Sequence, residues 1–271
     1  MKLPSIKLVM MTIAAVAGVL FILHGAWIFA SSPATDTFTD TSKIASNNNL
    51  TVDTVNGQVK LSLSVDFTCG GTWTDSRDGK TYATVMIGSQ CWMAQNINVG
   101  TKVAGSGNQG SNCASIQKYC YSDNEANCTT YGGLYQWDQA MCGSVTAGAQ
   151  GICPVGWHIP THDQFTTLER AICVSGTCTT DFPFDTSTTG WRGTNEGTNL
   201  KSGGSSGFNG LLAGYRSTDG SFGTLTAYGY FWTSLQSGAN AWFRYLYSGR
   251  ATVNRGTDDK LYGFSVRCLK D

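Results

Sequence analysis

Ten cysteines constrain this chain more than any other feature: Cys69, Cys91, Cys113, Cys120, Cys128, Cys142, Cys153, Cys173, Cys178 and Cys268. Their number is even, their spacing is irregular and no two form a CxxC pair. A structural zinc site normally needs two such pairs, or cysteines mixed with histidines, and the chain has only 3 histidines. The cysteines therefore read as disulfides, which form in oxidising compartments outside the cytoplasm. Cys173 and Cys178 are close enough in sequence to staple a small loop. A Cys153–Cys268 bond would tie the middle of the domain to its end. The other pairings stay open, because spacing does not choose among them.

The start of the chain agrees with export. Leu8 to Ala30 is an apolar run broken only by Thr12 and His24, with Lys2 and Lys7 ahead of it. About 20 apolar residues span a bilayer core, so residues 1–30 predict a membrane anchor with everything after them outside. The alternative is a cleaved leader ending near Ser32 and Ala34, but a leader core is usually only about 7–15 residues long. Residues 31–66 read as a polar stalk followed by a β-hairpin. Two alternating apolar stretches, Leu50 to Val55 and Val59 to Val65, flank Asn56-Gly57, the strongest short-range hairpin signal.

Residues 67–271 carry the folded body. The chain's 33 glycines and 5 prolines favour turns and loops over a helical bundle. A hydrophobic fraction of 41% with 11% aromatics excludes disorder. The 18 basic and 18 acidic side chains cancel, so no net basic face is expected and nucleic acid is not a partner. Tyr82 to Ile87 reads as a strand ended by Gly88. One segment has a helix start signal: Thr161 or Asp163 as cap, then Phe165, Leu168 and Ile172 at helical spacing. A weaker helix runs from about Leu134 to Met141. The expected class is α+β, with two helices, short strands and long loops that carry function.

Motifs for chemistry are sparse. His158 and His162 stand at i, i+4, but Pro160 between them opposes the helix that would make them a metal pair. Asp75 and Asp78-Gly79, and the run Ser122 to Asn127, hold oxygens that calcium would take. Neither has the spacing of a dedicated calcium loop, and Asp-Gly favours a turn. There is no G-x-S-x-G, phosphate loop or zincin motif. No cofactor and no catalytic residue is assigned.

Five ordered phrases carry a family resemblance: Asp75 to Asn96, ending Cys91-Trp92-Met93-Ala94-Gln95-Asn96; Tyr131-Gly-Gly-Leu-Tyr-Gln-Trp137; Cys153-Pro-Val-Gly-Trp157-His158-Ile-Pro160-Thr161; Gly207-Phe208-Asn-Gly-Leu-Leu-Ala-Gly214-Tyr215-Arg216; and Gly263-Phe264-Ser-Val-Arg267-Cys268. Together they resemble the Fibrobacter succinogenes major paralogous domain, a family of exported bacterial proteins, over about Gly70 to Asp271. The resemblance implies a C-type-lectin-like, formylglycine-generating-enzyme-like architecture with a twisted sheet and irregular loops. Enzymes of that kind depend on active-site cysteines. Here Cys268 is the only cysteine after Cys178, so a local redox pair is missing.

The tail, Phe231 to Gly263, is similar to the variable region of proteins diversified by retroelements, in which Asn codons are rewritten at their adenines. The resemblance implies a framework of Trp242, Arg244, Leu246, Val253, Asn254 and Arg255, and then Gly263 onward. The rewritten positions would be Phe243, Tyr245, Tyr247, Ser248, Arg250, Thr252, Gly256, Thr257, Asp258, Leu261 and Tyr262. The residues alone point the same way. Alternation from Trp242 to Leu246 reads as a strand with one face buried, which turns Phe243, Tyr245 and Tyr247 outward together. Exposed aromatics in a row mark a contact site.

These readings predict a membrane-anchored, surface-displayed binding protein whose ligand, a protein or a carbohydrate, meets the eleven tail positions. The rival is a structural envelope or minor pilin-like subunit whose tyrosines touch neighbouring copies. An enzyme ranks third.

Overall fold

The computed structural model describes residues 48–55, 58–65 and 67–271. The expected anchor, most of the stalk and the Asn56-Gly57 turn lie outside the described residues. Among the described residues, no helix is long and apolar enough to cross a membrane. The chain divides into two units, with the boundary between Phe67 and Thr68. In the first unit, β1 (Asn48–Val55) pairs antiparallel with β2 (Gln58–Val65). Their register sets Val55 opposite Gln58, which leaves a two-residue connection at Asn56-Gly57.

The second unit is built on two sheets. Five strands form the first, in the order β3 (Thr72–Thr74), β4 (Thr81–Ile87), β5 (Gln90–Met93), β15 (Leu269–Lys270), β8 (Trp157–His158). Four form the second, in the order β12 (Tyr228–Ser237), β13 (Asn240–Tyr247), β14 (Val253–Asp259), β9 (Gly190–Arg192), all antiparallel. Two small pairs, β6 (Thr101–Lys102) with β7 (Gln117–Lys118) and β10 (Tyr215–Arg216) with β11 (Phe222–Gly223), pin long loops. The α-helices among the described residues are α1 (Glu125–Tyr131), α2 (Trp137–Ala140), α3 (His162–Ile172), α4 (Cys178–Asp181) and α5 (Glu196–Leu200).

The longest helix, α3, touches β4 of one sheet and β12 and β13 of the other. Its start is fixed by a capping box: Thr161 Oγ1 accepts from Gln164 N, and the Gln164 side chain accepts from Thr161 N. Phe165 and Leu168 face the core with Trp92, Phe208, Phe231, Leu246 and Val253. Each such side chain, fully buried, contributes about 1.5–3 kcal/mol.

All ten cysteines are paired: Cys69–Cys91, Cys113–Cys142, Cys120–Cys128, Cys153–Cys268 and Cys173–Cys178. The sequence separations run from 5 to 115 residues. Cys153–Cys268 closes the longest loop and so constrains the unfolded chain most.

The fold corrects the two-helix expectation, since five α-helices and a 3-10 turn at Tyr121–Asp123 are present among the described residues. The segment from Leu134 to Met141 is helical only over α2. Its first residues extend instead, because Leu134 bridges Tyr119 and Tyr135 bridges Phe264. Part of the Ser122–Asn127 run is α1. There Asn124 caps the helix, its side chain accepting from Ala126 N, rather than serving as an open calcium ligand.

Candidate functional site

The four-stranded sheet has two unlike faces. Register and alternation put Trp242, Arg244, Leu246, Val253 and Arg255 on the inner face, against α3. Here the sequence places two guanidinium groups in the interior. Arg244 Nε donates to Glu169 Oε1 at 2.5 Å, and its Nη2 donates to His162 O at 3.2 Å. Arg255 donates to His162 Nε2 and to the carbonyls of Pro183 and Asp185. His162 thus lies between two cations. Burial first, then the charges of Arg244 and Arg255, push its pKa down to about 3, so it stays neutral at ordinary pH. A buried, neutral histidine engaged by arginines is part of the scaffold.

Two further arginines gather loop carbonyls in the same manner. Arg216 donates to Gly105 O and Gly107 O, and Arg267 to Met93 O, Phe208 O and Asn209 O. Composition gives little warning of this, because arginine is a surface residue by default.

The outer face is aromatic. Tyr228 and Tyr230 of β12 stand opposite Tyr247 and Tyr245 of β13, Trp232 stands opposite Phe243, and Trp191 of β9 stands beside Asn254 of β14. Neighbouring rings touch across the strands. Tyr228 stacks on Tyr247 with centroids 4.5 Å apart, Tyr230 on Tyr245 at 5.3 Å, and Trp191 meets Tyr245 edge-on at 4.8 Å. The series continues through Phe264, 4.8 Å from Tyr230, to Tyr262 at 5.5 Å and Tyr215 at 5.8 Å beyond it. Each contact of this kind contributes about 0.5–1.5 kcal/mol beyond area burial. The tyrosines are half-buried: their flanks are taken up by one another and their rims remain open.

On β14 the same face carries Asn254, Gly256 and Asp258. Gly256 lets the Phe243 ring lie close over the backbone, where the ring edge would sit only 3.2 Å from a Cβ. Burial raises the Asp258 pKa above the ordinary aspartate value, and the Asp259 N–H that donates to its carboxylate works against the rise.

The eleven predicted site residues fall into distinct places. Tyr245, Tyr247, Gly256 and Asp258 lie on the outer face, half-buried. Ser248 and Arg250 are exposed in the β13–β14 turn, and the Arg250 guanidinium lies 4.9 Å from the centre of the Trp191 ring. Thr252 precedes β14, and Leu261 and Tyr262 follow it, Leu261 at 43% exposure. Two depart from expectation. Phe243 is on the outer face but only 6% exposed, because Phe264 packs over it at 5.2 Å. Thr257 pairs with Trp242 and so belongs to the inner face. Trp191, Tyr228, Tyr230 and Tyr215 join the site without having been singled out: strand pairing brings the first three there, and the Gly214–Gly229 bridge brings Tyr215 against Tyr230 and Tyr262.

The turn itself is held from below. Lys201 Nζ donates to the carbonyls of Tyr247 (3.0 Å), Ser248 (3.3 Å) and Arg250 (2.8 Å). Burial lowers the Lys201 pKa. A cleft of about 520 Å³ opens beside it, lined by Lys201, Gly210, Leu212, Thr226 and Ser248.

The metal candidates do not assemble. His158 Nδ1 faces Asp271 at 2.6 Å, while His162 points to the arginines. Arg77 holds the Asp75 carboxylate at 2.7 Å, and Lys80 holds Asp78 at 2.5 Å. Cys120 and Cys128 flank Glu125, but their sulfurs are bonded to each other.

Among known proteins, a family model described as the Fibrobacter succinogenes major domain matches residues 85–270. No curated protein and no solved structure matches the chain.

Proposed function

We propose, from the premise that this chain belongs to the Fibrobacter succinogenes major domain family, that it is a surface-displayed binding protein. Its ligand face is the outer side of β12, β13 and β14, together with the β13–β14 turn and residues 261–262. The observation that carries this reading is the series of aromatic rings on one sheet face, beside a turn rich in Ser, Gly and Arg. Tyrosine supplies rigid contact area at low entropy cost, and small polar neighbours supply adaptable hydrogen bonds, as in antibody paratopes. We take the architecture to be C-type-lectin-like, with the N-terminal apolar run as the anchor that displays it.

The second part of the proposal concerns variability. Apart from Phe243, which is covered, and Thr257, which lies on the inner face, the tail positions are half-buried or exposed outside the inner face, so a retroelement that rewrites their codons would change the ligand face more than the core. The decisive experiment is to sequence the DNA flanking the gene. An imperfect copy of codons 230–268 that differs only at adenines, beside a reverse-transcriptase gene, is the expected result. If no such copy exists, the face is fixed. Binding is tested separately with Tyr247→Ala, which should weaken ligand capture at least about tenfold while the protein stays folded. Equal capture would sink the assignment of the face. Self-association that rises with concentration and is lost in the same variant would instead favour the structural-subunit reading.

A further inference from the structure

The aromatic face is electrically lopsided, and that asymmetry bears on what it binds. At the turn end, a cation is already seated on it, with Arg250 over Trp191 at 4.9 Å. At the other end, around Tyr262 and Tyr215, the charges that reach solvent are those of Asp219, Asp258 and Asp259, while the Arg216 guanidinium is buried on the carbonyls of Gly105, Gly107 and Leu261. After burial, Asp258, Asp259 and Asp219 are among the groups that push the Tyr262 hydroxyl's ionisation upward. Asp219 is engaged by Ser221, whose N and Oγ both donate to it. Asp258 and Asp259 accept from backbone N–H groups of Asp259 and Leu261. None of the three is in an ion pair among the described residues. The cation closest in sequence, Lys260, is turned away: its ammonium lies over Trp137 at 4.5 Å and donates to Gln236 at 2.9 Å.

The half-buried Asp258 carboxylate, on the same side as the stacked rings, lacks the ion-pair partner that would offset its burial. Two physical terms favour the same occupant. A guanidinium lies flat on aromatic faces and forms charge-assisted hydrogen bonds to carboxylates. The chain's own Arg250 shows that this face accepts the first of these.

We propose that the ligand of this face is a protein segment bearing an arginine, whose guanidinium sits between the Asp258 carboxylate and the rings of Tyr262 and Tyr215. This rests on the reading of the face as a binding surface and narrows it to a cationic, peptide-borne group rather than a neutral saccharide. Lysine would bind more weakly, because an ammonium cannot stack and chelate together.

The test uses the full 271-residue chain and three short peptides of equal length, carrying three arginines, three lysines or three citrullines, followed by tryptophan fluorescence and calorimetry. The arginine peptide should bind, the lysine peptide several-fold less tightly, and the citrulline peptide at least about tenfold less tightly. Asp258→Asn should remove most of the preference for arginine over citrulline. Raising salt from about 50 to 300 mM should weaken the arginine complex. Equal binding of the arginine and citrulline peptides, or full arginine preference in Asp258→Asn, overturns the proposal. If no peptide binds but Tyr247→Ala still abolishes capture of a saccharide or another ligand, the cation assignment falls and the binding face stands. If Tyr247→Ala changes nothing with any ligand, both fall together.

Discussion

The two faces of the four-stranded sheet solve opposite problems with the same alternating strands. On the inner face, Arg244 and Arg255 are 2% and 0% exposed, and their stability depends on named oxygen and nitrogen partners at fixed distances. On the outer face, the tyrosines depend on each other's rings, at separations from 4.5 to 5.9 Å and interplanar angles from 9° to 89°. Hydrogen-bonded burial is directional, so removing one partner leaves another group stranded. Ring packing is not, and a neighbour can shift to fill part of a gap. The lesson is that one face can hold the domain's identity while the other changes.

The strongest way to break that contrast is on the inner face. Arg244→Met leaves Glu169 buried and unpaired, which should cost about 3–5 kcal/mol and lower the melting temperature by roughly ten degrees or more. A loss under a few degrees by thermal circular dichroism would show that the pair is dispensable.

Acid should strain the same face. The folded pKa of His162 is depressed from 6.5 to about 3, so above pH 6.5 it costs nothing. As pH falls below 6.5, the unfolded chain binds a proton that the folded one refuses, and stability drops. At pH 4.5 this amounts to about 2–3 kcal/mol. Glu169 acts in the opposite sense, because burial raises its pKa and the folded chain then gains from protonation. The His162 share is therefore read as a difference: His162→Gln should lose less stability between pH 7 and 4.5 than the parent does. Identical pH profiles would refute the assignment.

On the outer face the effects should be smaller. Tyr247→Ala removes one stacked ring and should cost about 1–2 kcal/mol, a few degrees in melting temperature. The smallest effect belongs to Ser248→Ala, exposed in the turn, which should stay within about 0.5 kcal/mol of the parent. If these two destabilise as much as Arg244→Met, the division between the faces is wrong.

Much of this was legible in the residues. The Thr161 cap with Phe165 and Leu168 marks α3, the alternation from Trp242 to Leu246 marks the two faces of β13, and the pairs Cys173–Cys178 and Cys153–Cys268 are both present. What escaped has physical causes. Helix α1 is short, polar and set by its Asn124 cap, so it lacks the apolar stripe that reveals a helix. Trp191 lies 54 positions before Tyr245 in the sequence, and only strand pairing joins them. Phe243 obeys the alternation yet is covered, because Phe264 arrives from a segment that strand periodicity does not report. Arg244 falls on the buried face by the alternation of β13, but nothing local marks Arg216 and Arg267 as interior: a charged side chain reads as surface until its partners are known.

Lys201 adds one last point. Its ammonium grips the β13–β14 turn only through main-chain oxygens, which every residue type offers alike. Such a clamp is blind to lettering: residues 247, 248 and 250 can exchange their side chains, and the loop keeps its outline. A change at Lys201 itself would act differently, loosening every version of the turn at once.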